Sequence, residues 1–68
     1  MSLKRYWIAV RGHDGHEVVA ASAGAARWAE YRAWREAGFA RSWPRTISFI
    51  DFLTGQIETF HHLGDPRP

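Results

Sequence analysis

The chain contains no cysteine, so neither disulfide bonds nor zinc–thiolate sites can stabilise it. Lysine is almost absent: eight of the nine basic residues are arginine, and against seven acidic residues they leave a net charge of +2. Such a balance excludes a strongly acidic DNA mimic and gives no dense basic surface. No apolar run approaches the roughly 20 residues of a membrane span, and MSLKRYWIAV lacks a signal peptide's hydrophobic core. We therefore expect a cytoplasmic protein.

Aromatic residues are what the chain has in abundance. Its 68 residues correspond to one domain, and at this size only about 60% of the unfolded chain's surface can be buried. Ten side chains are Phe, Tyr or Trp, and four of them are Trp. A core of one helix and three strands does not hide ten such side chains easily, so we expect some of them at the surface.

The segment Ser22–Gly38 is predicted to be the long helix. Ser22 is a preferred N-cap residue, Ala is frequent throughout, and Gly38 stands where a left-handed residue would end the helix. The helical period predicts two faces. The first is a ridge of methyl groups expected to pack closely on the sheet: Ala26, Ala29, Ala33 and Ala37. The second is an arc of aromatic and basic side chains: Arg27, Trp28, Tyr31, Trp34 and Arg35.

The first strands form a predicted hairpin. Residues 5–11 alternate, with Tyr6, Ile8 and Val10 on one face and Trp7 on the other, and residues 16–21 return as the second strand. Residues 12–15, GHDG, supply the turn, so the two strands should be antiparallel neighbours.

The second half of the chain is harder to interpret. Residues 46–55, TISFIDFLTG, fit either a strand or a short helix capped by Ser48 and ended at Gly55, and we predict the helix over 48–54. Residues 56–63 are predicted to be the last strand, whose alternation places Ile57 and Phe60 on opposite faces. Residues 64–68 read as a frayed tail.

Together these elements predict an α+β fold, a small two-layer β-β-α-α-β domain. A three-stranded antiparallel sheet should be covered on one face by the long helix, with the short helix closing one end. The other face stays open and carries Trp7, a candidate contact for a second copy of the chain or for another protein.

Enzymatic and metal-binding functions have little support. Imidazole is a common metal ligand, and the chain has His13, His16, His61 and His62, but neighbouring strand residues such as His61 and His62 point to opposite faces. Asp14 with His13 could form an acid–base pair, but it lies in a solvent-exposed turn. A domain of this size is also expected to lack room for a pocket of about 300 Å³. We therefore predict no metal, no cofactor and no catalysis.

Two binding functions share the same residues. The guanidinium of an arginine can donate two hydrogen bonds to a phosphate, and aromatic rings can stack on unpaired bases. Both contacts would suit a small nucleic-acid-binding regulator. Against this, Glu30 and Glu36 are spaced to pair with Arg27 and Arg32. Trp, Tyr and Arg are also the residue types enriched at protein interfaces. We favour a protein partner, contacted by Arg27, Trp28, Tyr31, Trp34 and Arg35, with Trp7 and Trp43 as secondary candidates.

The chain resembles small accessory proteins of bacterial phages and prophages. The likeness lies in the hairpin, the segment VVAASAGAARWAEY (residues 18–31), the segment FIDFL (residues 49–53) and the closing strand. The usage of Ala, Arg and Trp is similar to that of high-GC genomes. Anti-CRISPR proteins are small proteins of this kind, which share no defining motif and typically bind a Cas protein or complex. The resemblance implies a non-enzymatic inhibitor or adaptor of a host macromolecular complex in the bacterial cytoplasm.

Overall fold

The computed structural model describes residues 2–44 and 46–64 and confirms the predicted β-β-α-α-β order. Its elements are β1 (Lys4–Val10), β2 (His16–Ala20), α1 (Ala23–Glu36), α2 (Phe49–Gly55) and β3 (Ile57–Gly64). Of the predicted frayed tail, only Gly64 lies within the described residues, and it belongs to β3. Neither helix in this part of the chain has the length and apolarity needed to cross a membrane.

The sheet has the order β2-β1-β3, and both pairings are antiparallel. The central strand β1 therefore contributes the buried side chains of the sheet. As predicted, Tyr6, Ile8 and Val10 are buried, and the neighbouring Trp7 lies on the open face. Helices α1 and α2 cover the buried face of the sheet. The core between these layers also includes Ile47.

A bulge in β3 changes which side chains face the core. Val10 pairs with Ile57 whereas Ala9 pairs with Thr59, so β3 carries one extra residue between these pairs. The extra residue puts Ile57 and Phe60 on the same, inner face, and both pack against the core. Our prediction that they lie on opposite faces is therefore wrong, because a bulge breaks the two-residue period.

The ends of α1 follow the predicted capping. The Ser22 hydroxyl accepts a hydrogen bond from the Ala25 amide at 3.1 Å. At the other end Gly38 has φ of 90°, and the amide of Phe39 reaches back to the Trp34 carbonyl at 2.8 Å. With the Gly38 amide bonded to the Arg35 carbonyl, this is a complete Schellman motif.

The predicted packing face of α1 is wrong. Of the methyl ridge only Ala26 is buried, whereas Ala29, Ala33 and Ala37 are exposed. The inner face instead consists of Ala23, Ala26, Arg27, Glu30, Tyr31 and Trp34. The helix is rotated this way because the rings of Tyr31 and Trp34 remove much more apolar surface from water than methyl groups do.

Helix α2 confirms the helical interpretation of residues 48–54. The Ser48 hydroxyl accepts from the Asp51 amide at 3.1 Å, as a cap should. Phe52 is fully buried, against Tyr31. The helix includes Gly55 and its C-cap is Gln56, so it ends one residue later than predicted.

Candidate functional site

The predicted aromatic–arginine arc does not form one surface in the folded chain. Tyr31 is only 7% exposed, Trp34 is half-buried, and Trp28 is 42% exposed. Positions 28, 31 and 34 advance by about 60° of rotation at each step, so a single arc spans both the core and the surface. The seven predicted contact residues must therefore be considered in separate groups.

Tyr31 belongs to the core. Its ring packs against Phe49 and Phe52, and its hydroxyl donates a hydrogen bond to the Ile47 carbonyl at 2.7 Å. The hydroxyl therefore has a buried partner, which ties α1 to the segment before α2. Tyr31 contributes to the fold and leaves little of its surface accessible to a partner.

Trp34 and Trp43 are half-buried and pack on each other, with ring centroids 4.7 Å apart. His13, from the hairpin turn, lies edge-on against Trp34, also at 4.7 Å. These three rings join the hairpin, the end of α1 and the loop before α2. Their contacts are internal, so Trp34 and Trp43 are weaker candidates for a partner surface than predicted.

The arginines of α1 have partners inside the protein. Arg32 pairs with Glu36 at 3.7 Å, as predicted. Arg27 does not pair with Glu30 as predicted; its guanidinium lies 4.1 Å from the centre of the Phe60 ring. The bulge that brings Phe60 to the inner face supplies this cation–π contact.

Trp28 and Arg35 form an exposed group along one edge of the helical layer. The Arg35 guanidinium lies 5.7 Å from the Trp28 ring centre, and the Phe49 ring stands perpendicular to Trp28 at 5.0 Å. Next along α2, Ile50 is 70% exposed. We name the four residues Trp28, Arg35, Phe49 and Ile50 the helix-edge surface. It combines a Trp and an Arg, residue types enriched in interface hot spots, with an exposed aliphatic side chain.

The open sheet face is a second apolar surface. Trp7 is 38% exposed there, and the exposed Val19 lies on the neighbouring strand β2. The indole of Trp7 also covers the hairpin turn, since a Cβ added to Gly15 would lie 2.6 Å from the ring. Arg5 and Glu17 on the same face approach each other to 3.6 Å. Trp7 thus has a structural role besides its exposure.

Sequence reasoning missed a cavity beside Glu30. This carboxylate is only 6% exposed, and its Oε1 lies 2.6 Å from Nε2 of His16. Its Oε2 accepts a hydrogen bond from the Trp34 indole at 2.9 Å. The cavity measures about 280 Å³. Its lining consists of Val10, Asp14, His16, Glu30, Ala33, Trp34 and Ala37.

Two signals point to this site in retrospect. Glu30 lies on the helical stripe that contains Ala26 and Trp34, so a helix aligned on its rings would have placed a carboxylate in the core. The small side chains Ala33 and Ala37 leave the space beside it. The volume of about 280 Å³ is just below the roughly 300 Å³ at which small-molecule sites begin.

The histidines are separated in the fold. His16 contacts Glu30, and His13 packs on Trp34. On β3, His61 stands opposite Trp7 and His62 opposite Tyr6, which face opposite sides of the sheet. Within residues 2–44 and 46–64, no three His, Asp or Glu side chains are grouped so that they could hold a metal ion.

Comparisons with protein-family models, with curated proteins and with solved structures found no match to this chain. The site is therefore interpreted from its own geometry.

Proposed function

We propose that this protein is a non-enzymatic binding module that docks onto a protein partner through the helix-edge surface. The observation that carries the proposal is the exposure of Trp28 beside Arg35, together with the exposed Ile50, which follows the Phe49 that packs on Trp28. A monomer gains nothing by leaving a tryptophan and an isoleucine in water, whereas an interface gains apolar burial from both. Arg35 adds a directional charged contact at their edge.

The accessible surface of the chain indicates how large a share of it such an interface would cover. Its accessible surface is 4855 Å², and a standard interface takes about 800 Å² from each partner. About one sixth of the surface would be covered, which is more than four side chains provide. The helix-edge surface would then be the centre of the interface, with exposed parts of α1 and α2 as its rim.

A protein partner fits the charges better than a nucleic acid does. Arg5 and Arg32 are close to carboxylates, and Arg27 lies over Phe60. The other described arginines, Arg11, Arg35 and Arg41, lie in the hairpin turn, in α1 and in the loop after α1, so they do not form a continuous basic track for a phosphate backbone. A gel-shift assay at low salt is the corresponding check, because phosphate contacts weaken steeply as salt rises.

The resemblance to phage accessory proteins suggests the class of partner. We propose an inhibitor or adaptor that binds a host complex in the bacterial cytoplasm, with a CRISPR–Cas effector as the first partner to test. Binding there would block access of the effector to DNA. This part of the proposal depends on the resemblance, whereas the helix-edge surface depends on geometry alone.

The test is binding of the purified protein to immobilised type I and type II effectors, measured by surface plasmon resonance. We expect Trp28→Ala to weaken binding by about thirtyfold, typical of an interface hot spot, and Arg35→Glu by about tenfold. Arg41→Glu, an equal charge change at an exposed loop position, and Val19→Ala on the sheet face are the matched controls. Circular dichroism verifies that each variant is folded.

The two parts of the proposal fail differently. Wild-type binding by both Trp28→Ala and Arg35→Glu would refute the helix-edge surface. Lack of binding to any effector by the wild-type protein would refute the CRISPR assignment.

A further inference from the structure

The cavity beside Glu30 lies away from the helix-edge surface. At 100° per residue, Ala33 is separated from Trp28 by about 140° and from Arg35 by about 160° around α1. The helix-edge surface and the cavity thus occupy opposite flanks of the same helix. A ligand in the cavity would leave Trp28 and Arg35 free.

The cavity contains a carboxylate held in a fixed position. Because a carboxylate only accepts hydrogen bonds, Nε2 of His16 carries the proton in its 2.6 Å contact with Glu30. Each Glu30 oxygen has one neighbour, His16 or Trp34, and each can accept one more donor. Asp14 adds a second carboxylate at the exposed rim.

The walls of the cavity are apolar. Val10, Ala33 and Ala37 contribute aliphatic surface, and Trp34 contributes an indole ring. An indole attracts cations through its negative face, and aliphatic walls accommodate a hydrocarbon stem. The site therefore combines a place for a short alkyl chain with a place for a positive charge.

We propose that this cavity binds an alkylammonium group, with the charge at Glu30 and Asp14 and the alkyl stem along Val10, Ala33 and Ala37. A guanidinium fits less well. Its flat fork must meet both oxygens of one carboxylate at once, and on Glu30 each oxygen has a single acceptor position left, whose direction His16 and Trp34 restrict. An ammonium is a compact charge that needs only the remaining acceptor positions. The source is either a free primary amine or a lysine side chain of another protein.

The test uses nuclear magnetic resonance of the four indole N–H groups, with the Trp34 signal assigned by Trp34→Phe. The Trp34 N–H bonds directly to Glu30, so its signal reports on the site. We expect butylammonium to shift this signal saturably and butan-1-ol, its neutral counterpart with the same number of non-hydrogen atoms, to leave it unchanged. Equal saturable shifts by the alcohol would overturn the proposal.

Substitutions of the two carboxylates test whether binding of the amine depends on them. Glu30→Gln keeps the shape of the side chain and should weaken butylammonium binding by about tenfold. Asp14→Asn, at an exposed turn where folding is not at risk, should weaken it by about two- to fivefold. Glu36→Gln removes an exposed carboxylate of the same helix and should have no effect. Unchanged affinity in both Asp14→Asn and folded Glu30→Gln would overturn the proposal.

A lysine-containing peptide and the same peptide with acetylated lysine distinguish the two sources. Binding of butylammonium but not of the lysine peptide indicates a free amine, and binding of the lysine peptide that acetylation abolishes indicates a partner's side chain. Binding of neither, or equal binding of the acetylated peptide, overturns the proposal. The variants Trp28→Ala and Arg35→Glu should bind the amine normally, so this outcome is independent of the proposed docking function.

Discussion

Gly15 is placed so that adding one methyl group tests the packing of the open sheet face. Its backbone φ lies outside the left-handed region, so alanine can adopt the same conformation without strain. The added Cβ, however, would lie 2.6 Å from both Cε2 and Nε1 of Trp7. No carbon tolerates such a contact, so in Gly15→Ala the indole or the turn must move.

Two opposing terms determine the size of the effect. Overpacking costs about 1–3 kcal/mol. Replacing glycine by alanine at an unstrained position stabilises by about 0.4–1 kcal/mol, because the unfolded chain loses freedom. We therefore expect Gly15→Ala to lower the free energy of unfolding by about 1 kcal/mol. In a Trp7→Val background the clash is absent, and the same substitution should stabilise by about 0.4–1 kcal/mol.

Urea unfolding followed by circular dichroism measures this change of sign without depending on tryptophan fluorescence. Gly24→Ala, which has no neighbour within 4 Å of the added Cβ, is the control and should be mildly stabilising in both backgrounds. A Gly15→Ala effect of the same sign in the wild-type and Trp7→Val backgrounds would refute the contact between Trp7 and the turn.

Two further predictions concern the ends of α1, and both are measured by the same urea unfolding. Ser22→Ala removes the acceptor of the Ala25 amide and should cost about 1 kcal/mol, whereas Ser42→Ala in the loop should change stability by much less; equal effects would contradict the N-cap. Gly38→Ala places a side chain at φ of 90° and should cost about 1–2 kcal/mol, so a neutral result would contradict the left-handed C-terminal cap.

Some features could be predicted residue by residue because they depend on short-range interactions. Ser22, Gly38 and Ser48 act within one helical turn of their own positions, through a hydrogen bond or a backbone angle. The buried face of β1 is equally local, since Tyr6, Ile8 and Val10 alternate with less apolar neighbours.

The candidate sites were only partly predictable. Trp28 and Arg35 are neighbours on the helix period, but Phe49 reaches Trp28 only because α2 packs against α1. The cavity at Glu30 required His16 from β2 and Val10 from β1 to be brought to the same flank of α1. No spacing in the sequence relates these residues, since they come from three elements.

The sequence by itself determined the element order, the helix caps and the inner face of β1, because each depends on residues within a few positions of one another. The tertiary structure decided the rotation of α1, the bulge in β3 and the burial of Glu30. These depend on which packing removes most apolar surface from water while giving buried polar groups such as the Glu30 carboxylate their partners. For α1 the rings of Tyr31 and Trp34 outweighed the methyl ridge, and two of the alanines left outside, Ala33 and Ala37, line a cavity.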